Sequence, residues 1–133
     1  MPRRTKKSKP LRVVIADDHR LFAEALEAIL AADERIEVVG QAGDGSKAVE
    51  LARTLDPDLV LMDVSMPVLD GFEATREIRA AAEDVRVLML TGSNSRADVD
   101  RSREAGASGY ITKDRIASEL VAAIVEVSRR RLP

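Results

Sequence analysis

The chain contains no cysteine and no tryptophan, and it has one tyrosine, two phenylalanines and one histidine among 133 residues. Without cysteine there is no disulfide framework and no thiolate metal site. No apolar run approaches the roughly 18 residues of a membrane span. The opening MPRRTKKSKP has no apolar signal-peptide core. No membrane association is therefore expected, and a cytoplasmic setting is. A glycine-rich turn is also missing after the first apolar run, where the sequence reads ADDHRLF. That removes dinucleotide-binding and P-loop readings. A Ser-His-Asp hydrolase would need a nucleophile elbow and a separate histidine, and neither is present.

What is there fits one globular domain. The length allows a real core, and 45% hydrophobic with 33% charged residues is ordinary for such a chain. The formal net charge of −2 conceals an asymmetry. Residues 1–10 carry Arg3, Arg4, Lys6, Lys7 and Lys9, and residues 129–133 add three arginines. The remainder holds 13 basic against 23 acidic residues. An acidic body repels a nucleic-acid backbone. The two ends read as basic tails, solvated and mobile, with 11–128 as the domain between them.

Two patterns alternate along that domain. LRVVIA (11–16), IEVVG (36–40), LVLM (59–62), VRVLML (85–90) and GYIT (109–112) read as strands. Between and after them, apolar residues at helical spacing predict helices over Arg20–Ala32, Gly45–Leu55, Phe72–Ala82, Ala97–Ala105 (closed by Gly106) and Ile116–Val127. Strict alternation implies a parallel sheet with helices on both faces. Right-handed crossovers and five units are compatible with strand order 2-1-3-4-5, the flavodoxin-like doubly wound (βα)5 fold. Strands one, three and four are the most uniformly apolar and belong at the centre. Glu37 marks strand two as an edge with one wetter side.

Sites in such folds form outside the carboxyl ends of the strands. Strand one exits into Asp17 and Asp18, strand three into Asp63, strand four into Thr91 and strand five into Lys113. Three carboxylates, a hydroxyl and an ammonium therefore meet at one rim. The carboxylates repel one another. A hard divalent cation relieves the repulsion, and an all-oxygen set suits magnesium, with manganese also admissible. Cation, Lys113 and Thr91 together suit a phosphoryl group under in-line attack by a carboxylate. Asp63, single and central, is the expected nucleophile, with Asp17 and Asp18 holding the metal. His19 reads as the residue that opens the first helix beside two acids. Asp70–Gly71 reads as a turn and N-cap, and Pro67 as fixing the loop after Asp63.

VVIADDH, LVLMDVSMPVLDG, VLMLTG and GYITKD, in that order at successive strand ends, resemble the response-regulator receiver domain of two-component signalling. The spelling is most similar to receivers of the LuxR/NarL type, and the fold implied is CheY-like. The resemblance implies that Asp63 is the phosphoacceptor, that Asp17 and Asp18 are the acidic pair, and that Lys113 is the site lysine. It makes Thr91 the switch hydroxyl, Tyr110 the switch aromatic and the Ser65 carbonyl a further metal ligand. It further implies a sensor histidine kinase as phosphodonor and an output face made of helix 4, strand 5 and helix 5, serving a downstream protein or self-association. Many receivers follow the lysine with proline, often in cis. Asp114 stands here, so a trans bond is expected. Receivers of this type usually continue into a helix-turn-helix domain, and these 133 residues contain no nucleic-acid-binding domain. The expectation is a stand-alone receiver that accepts phosphate without being a turnover enzyme. The alternatives are a receiver cut from a LuxR-type DNA-binding regulator, or an adaptor that kept the fold and works without phosphorylation.

Overall fold

The computed structural model describes residues 9–92 and 95–129. Arg3, Arg4, Lys6 and Lys7 of the amino-terminal basic tail, and residues 130–133 of the other, lie outside the described residues. Five strands, β1 (Leu11–Ala16), β2 (Ile36–Ala42), β3 (Leu59–Asp63), β4 (Arg86–Thr91) and β5 (Gly109–Thr112), alternate with five helices. The helices are α1 (Arg20–Ala31), α2 (Gly45–Leu55), α3 (Gly71–Ala81), α4 (Arg96–Ala105) and α5 (Ile116–Arg129). The strands are all parallel, in the order β2-β1-β3-β4-β5. This is the doubly wound topology that the alternation predicts.

Period-two alternation on the central strands splits the core into two layers. Val13 and Ile15 of β1, Leu59 and Leu61 of β3, and Leu88 and Leu90 of β4 pack with Ala23, Leu26 and Leu30 of α1 and Leu120 and Ile124 of α5. Val14, Val60, Met62, Val87 and Met89 face the other way, onto Ala48 and Ala52 of α2, Phe72 and Ile78 of α3 and Ala105 of α4. Covered on both faces, β3 is buried along its whole length, Asp63 included.

Boundaries differ from the sequence expectation in seven elements, those of α1, α3 and α4 by one residue. β3 runs on into Asp63, because Asp63 still pairs in register with Leu90. β4 starts at Arg86 and takes in Thr91; Val85 instead donates its N–H to the Ala82 carbonyl and closes the α3 turn. β2 continues past Gly40 to Ala42, held by the pairs Ile15–Gln41 and Ala16–Ala42 beyond a register shift between Val13 and Val14. α5 reaches Arg129, so that residue belongs to the helix and not to a tail.

Caps set the angles at which helices leave the rim. Asp70 accepts the Glu73 N–H at 2.9 Å and starts α3 as the Asp-Gly pair predicts. Gly106, at φ +101°, ends α4 in the left-handed conformation that glycine tolerates. No peptide bond among the described residues is cis, so the Lys113–Asp114 bond is trans. No helix among them is long and apolar enough to cross a membrane.

Candidate functional site

Asp63 is the last residue of the central strand and is 2% exposed. Its parity continues that of Leu59 and Leu61, which turns it toward the α1/α5 layer. Lys113 leaves β5 through a single 3-10 turn and brings its Nζ to 3.0 Å from Asp63 Oδ1. The ammonium also lies 5.1 Å from the centre of the Phe22 ring, so α1 helps aim it. The second oxygen, Asp63 Oδ2, is buried and has no hydrogen-bond partner.

Asp17 and Asp18 follow β1 directly. Asp17 is 4% exposed, and its Oδ1 accepts the His19 N–H at 2.8 Å. Its Oδ2 is buried without a partner, like that of Asp63. Asp18 is exposed. His19 caps α1 without a side-chain hydrogen bond, and its Nδ1 lies 3.6 Å from Asp17 Oδ1 and 3.5 Å from Asp18 Oδ1. One atom each from Asp17, Asp18, His19 and Asp63 falls within a 4.8 Å cluster. Burial pushes the Asp63 carboxyl above its ordinary value; the Lys113 hydrogen bond and charge pull it down, while Asp17 and Asp18 push it up.

The loop after Asp63 is drawn tight against it. Gly71 donates its N–H to the Val64 carbonyl at 2.9 Å. A Cβ on Gly71 would lie 2.3 Å from the Asp63 carbonyl oxygen, so only glycine fits. Ser65 is exposed in this loop and shares an open cleft of about 470 Å³ with Asp18, Asp70 and Arg101. Thr91 ends β4 at the same rim, 4% exposed and paired in register with Thr112. Tyr110 sits one strand further out, opposite Met89, and is 42% exposed.

The rim thus unites Asp17, Asp18, Asp63 and Lys113, with Thr91 and Ser65 beside them. Tyr110 stands apart on the outer strand. Sequence reasoning placed His19 beside the two acids at the start of α1, and it missed two contributors: Phe22 beneath the ammonium and the Gly71 contact with Asp63. The Asp-Gly pair carried a signal for the second; the first depends on a side-chain direction that spacing does not encode. Two buried carboxylate oxygens without partners, next to an exposed carboxylate, fit a hard divalent cation such as magnesium.

A family model for the response regulator receiver domain matches residues 13–125. Among curated proteins, the chain is 40% identical over 119 residues to the transcriptional regulatory protein DegU of Brevibacillus brevis, covering 90% of this chain and 50% of that one. It is 46% identical over 123 residues to the transcriptional regulatory protein PdtaR of Mycobacterium tuberculosis, covering 92% and 59%. The chain therefore spans only half to three-fifths of these relatives. Among solved structures, the signal receiver domain of NarL from Mycobacterium tuberculosis superposes with a TM-score of 0.89 at 34% identity, covering 93% of this chain and all of that one. The response regulator domain of Thermotoga maritima CheB gives 0.86 at 32% identity, covering 92% and 98%.

Proposed function

The chain belongs to the response regulator receiver domain family, and from that premise we propose that Asp63 accepts a phosphoryl group from the phosphohistidine of a sensor histidine kinase. The observation that carries this reading is the state of the Asp63 carboxylate. One oxygen is fixed by Lys113 at 3.0 Å, and the other is buried at the rim without a partner. Such an oxygen keeps a lone pair available at a fixed position, which is what a nucleophile needs.

In the step proposed, an Asp63 oxygen attacks phosphorus as the bond from phosphorus to the donor imidazole nitrogen breaks. The bonding pair stays with the imidazole, and an acyl phosphate forms on Asp63. Lys113 holds the carboxylate in place and supplies positive charge beside the phosphoryl oxygens. Asp17, Asp18, Asp63 and the Ser65 carbonyl would hold magnesium, with manganese an admissible substitute; when bound, the cation supplies neutralisation of the phosphoryl charge. Each chain takes up one phosphoryl group, at Asp63, so this is group acceptance and not turnover on a free metabolite. The setting is the cytoplasm.

For output, the added charge draws the Thr91 hydroxyl toward Asp63. Tyr110, exposed on β5, then turns inward and changes the surface shared with α4 and α5. That face receives the downstream protein or a second copy.

The test is mass-resolved labelling with phosphoramidate and magnesium. The wild-type chain is expected to gain one phosphoryl group, and Asp63→Asn none. Full labelling of Asp63→Asn sinks the assignment.

A further inference from the structure

Three large apolar side chains stand exposed among the described residues: Leu21 at 81%, Val68 at 80% and Tyr110 at 42%. Val68 alone combines exposure with backbone strain. Its φ is +69°, and the Leu69 N–H donates to the Pro67 carbonyl at 2.7 Å across it. A hydrogen bond from residue i+2 back to residue i around a positive-φ centre makes a tight γ-turn of the rare, strained kind. A β-branched residue is among the worst choices for that centre. Asp56, the other described non-glycine residue at positive φ, is a short polar residue at a helix end, where the conformation is ordinary.

Nothing among the described residues repays Val68. At 80% exposure the side chain contributes almost no packing. Nor can the loop relax easily. Pro67 fixes one side of the turn, and the loop's two ends are tied by the Gly71 N–H to the Val64 carbonyl. Gly71 in turn is pressed against the Asp63 carbonyl. Glycine or asparagine would satisfy the backbone at lower cost. A strained residue with an exposed apolar side chain, held rigidly five residues from the proposed phosphoacceptor, has the properties of a contact point for a partner.

We propose that Val68 is a specificity-determining contact for the protein that delivers the phosphoryl group, its isopropyl group meeting an apolar patch on the phosphohistidine-bearing domain. The inference rests on the phosphoacceptor reading of Asp63. The occupant is the protein donor, because the turn belongs to the loop that Asp63 itself begins. A macromolecule that brings a phosphohistidine to Asp63 has to approach across this rim. A small phosphodonor has no surface to meet Val68.

Val68→Gly and Val68→Thr separate strain from contact. Glycine removes both; threonine keeps the β-branched strain and makes the tip polar. Each variant is measured for thermal unfolding, for labelling by phosphoramidate, and for KM and kcat with each autophosphorylated sensor kinase of the source organism. Val68→Gly is expected to melt about 3 °C or more above wild type, and Val68→Thr close to wild type. With the kinase that labels wild type fastest, KM rises roughly fivefold in both, with kcat nearly unchanged. Phosphoramidate labels all three chains alike. An unchanged Tm in Val68→Gly removes the strain, and an unchanged KM in either variant removes the contact; either result overturns the proposal. So does an unchanged KM with weakened self-association of the phosphorylated chain, which would assign the turn to a second copy. The proposal also falls if no kinase of the organism labels wild type. Failure of phosphoramidate to label wild-type Asp63 strikes the underlying phosphoacceptor reading instead, and shows before any variant is compared.

Discussion

At the amino ends of the strands, two acids that close turns, Asp58 and Asp33, are paired. Asp58 accepts the Arg12 N–H at 2.9 Å, and the Arg12 guanidinium binds the Leu55 and Asp56 carbonyls. Asp33 takes two side-chain hydrogen bonds from Arg35, at 3.0 and 2.8 Å, and one from its N–H. At the carboxyl ends, Asp17 and Asp63 each keep a buried oxygen without a partner. Exposure does not explain the contrast, since the paired acids are the more exposed ones. Burial makes an unsatisfied oxygen costly, so the cost falls where the fold could most easily have avoided it. Acids that close turns are satisfied locally. Under the proposed function, the acids that wait for a cation and a phosphoryl group are the ones left incomplete, at the ends of buried strands.

The largest expected effect comes from breaking the rigid support at the carboxyl end. Gly71→Ala places a Cβ 2.3 Å from the Asp63 carbonyl oxygen and 2.9 Å from the Val64 Cα. Both neighbours are backbone, one of them in the central strand, so neither can step aside cheaply. A loss of about 3 kcal/mol is expected, read as a fall in the denaturant midpoint with unchanged m-value. A midpoint within error of wild type would show that the loop is not pressed against Asp63.

Asp63→Asn is expected to act in the opposite direction. Burial and the neighbouring acids raise the folded-state value of this carboxyl above its ordinary 3.8. The folded state then holds the proton more tightly than the unfolded state. Stability from this group is present at low pH and is lost as pH rises from 3.8 through the raised value. At neutral pH without metal, Asp63→Asn should therefore be the more stable chain, by on the order of 1 kcal/mol. The gain should shrink as pH falls. Magnesium should raise the Tm of wild type and not that of Asp63→Asn. A mutant less stable than wild type at pH 7 would mean that the Lys113 contact outweighs burial.

Much of this architecture is legible in the sequence, for a physical reason. LVLM and VVIA are unbroken apolar runs because they are covered on both faces, and that forces the next polar residue to the end of the strand. The positions of Asp17, Asp63 and Thr91 follow from it. Strand ends were less legible. Asp63 and Thr91 look like loop residues by polarity, yet the ladder continues through them, since register with Leu90 and Thr112 outweighs side-chain character. The state of the oxygens was not legible at all. Acids that close turns at one end and acids that keep a buried, partnerless oxygen at the other are spelled with the same letter. Val68 was equally hidden: MPVLDG reads as an ordinary turn until its φ is known.

The smallest expected effect sharpens the contrast from the amino end. Asp33 and Arg35 keep side-chain exposures of 23% and 57%, so solvent screens the pair and side-chain entropy opposes it. Asp33→Ala should change the neutral-pH Tm less than Gly71→Ala or Asp63→Asn does. Its pH signature is nonetheless distinct. The hydrogen bonds from Arg35 hold the Asp33 carboxyl at about 2, below its ordinary 3.8. Here the folded state releases the proton more readily than the unfolded state. The stability is present above 3.8 and is lost as pH falls toward 2. The wild-type minus Asp33→Ala difference should therefore be flat from pH 7 to about 4 and decline below it, whereas the Asp63→Asn advantage over wild type should already decline above pH 4. Thermal unfolding of the three chains in metal-free buffer from pH 7 to 3 reads both slopes. If both differences decline over the same pH range, the two ends of the sheet treat their acids alike, and the incompleteness of the carboxyl rim loses its meaning as a sign of function.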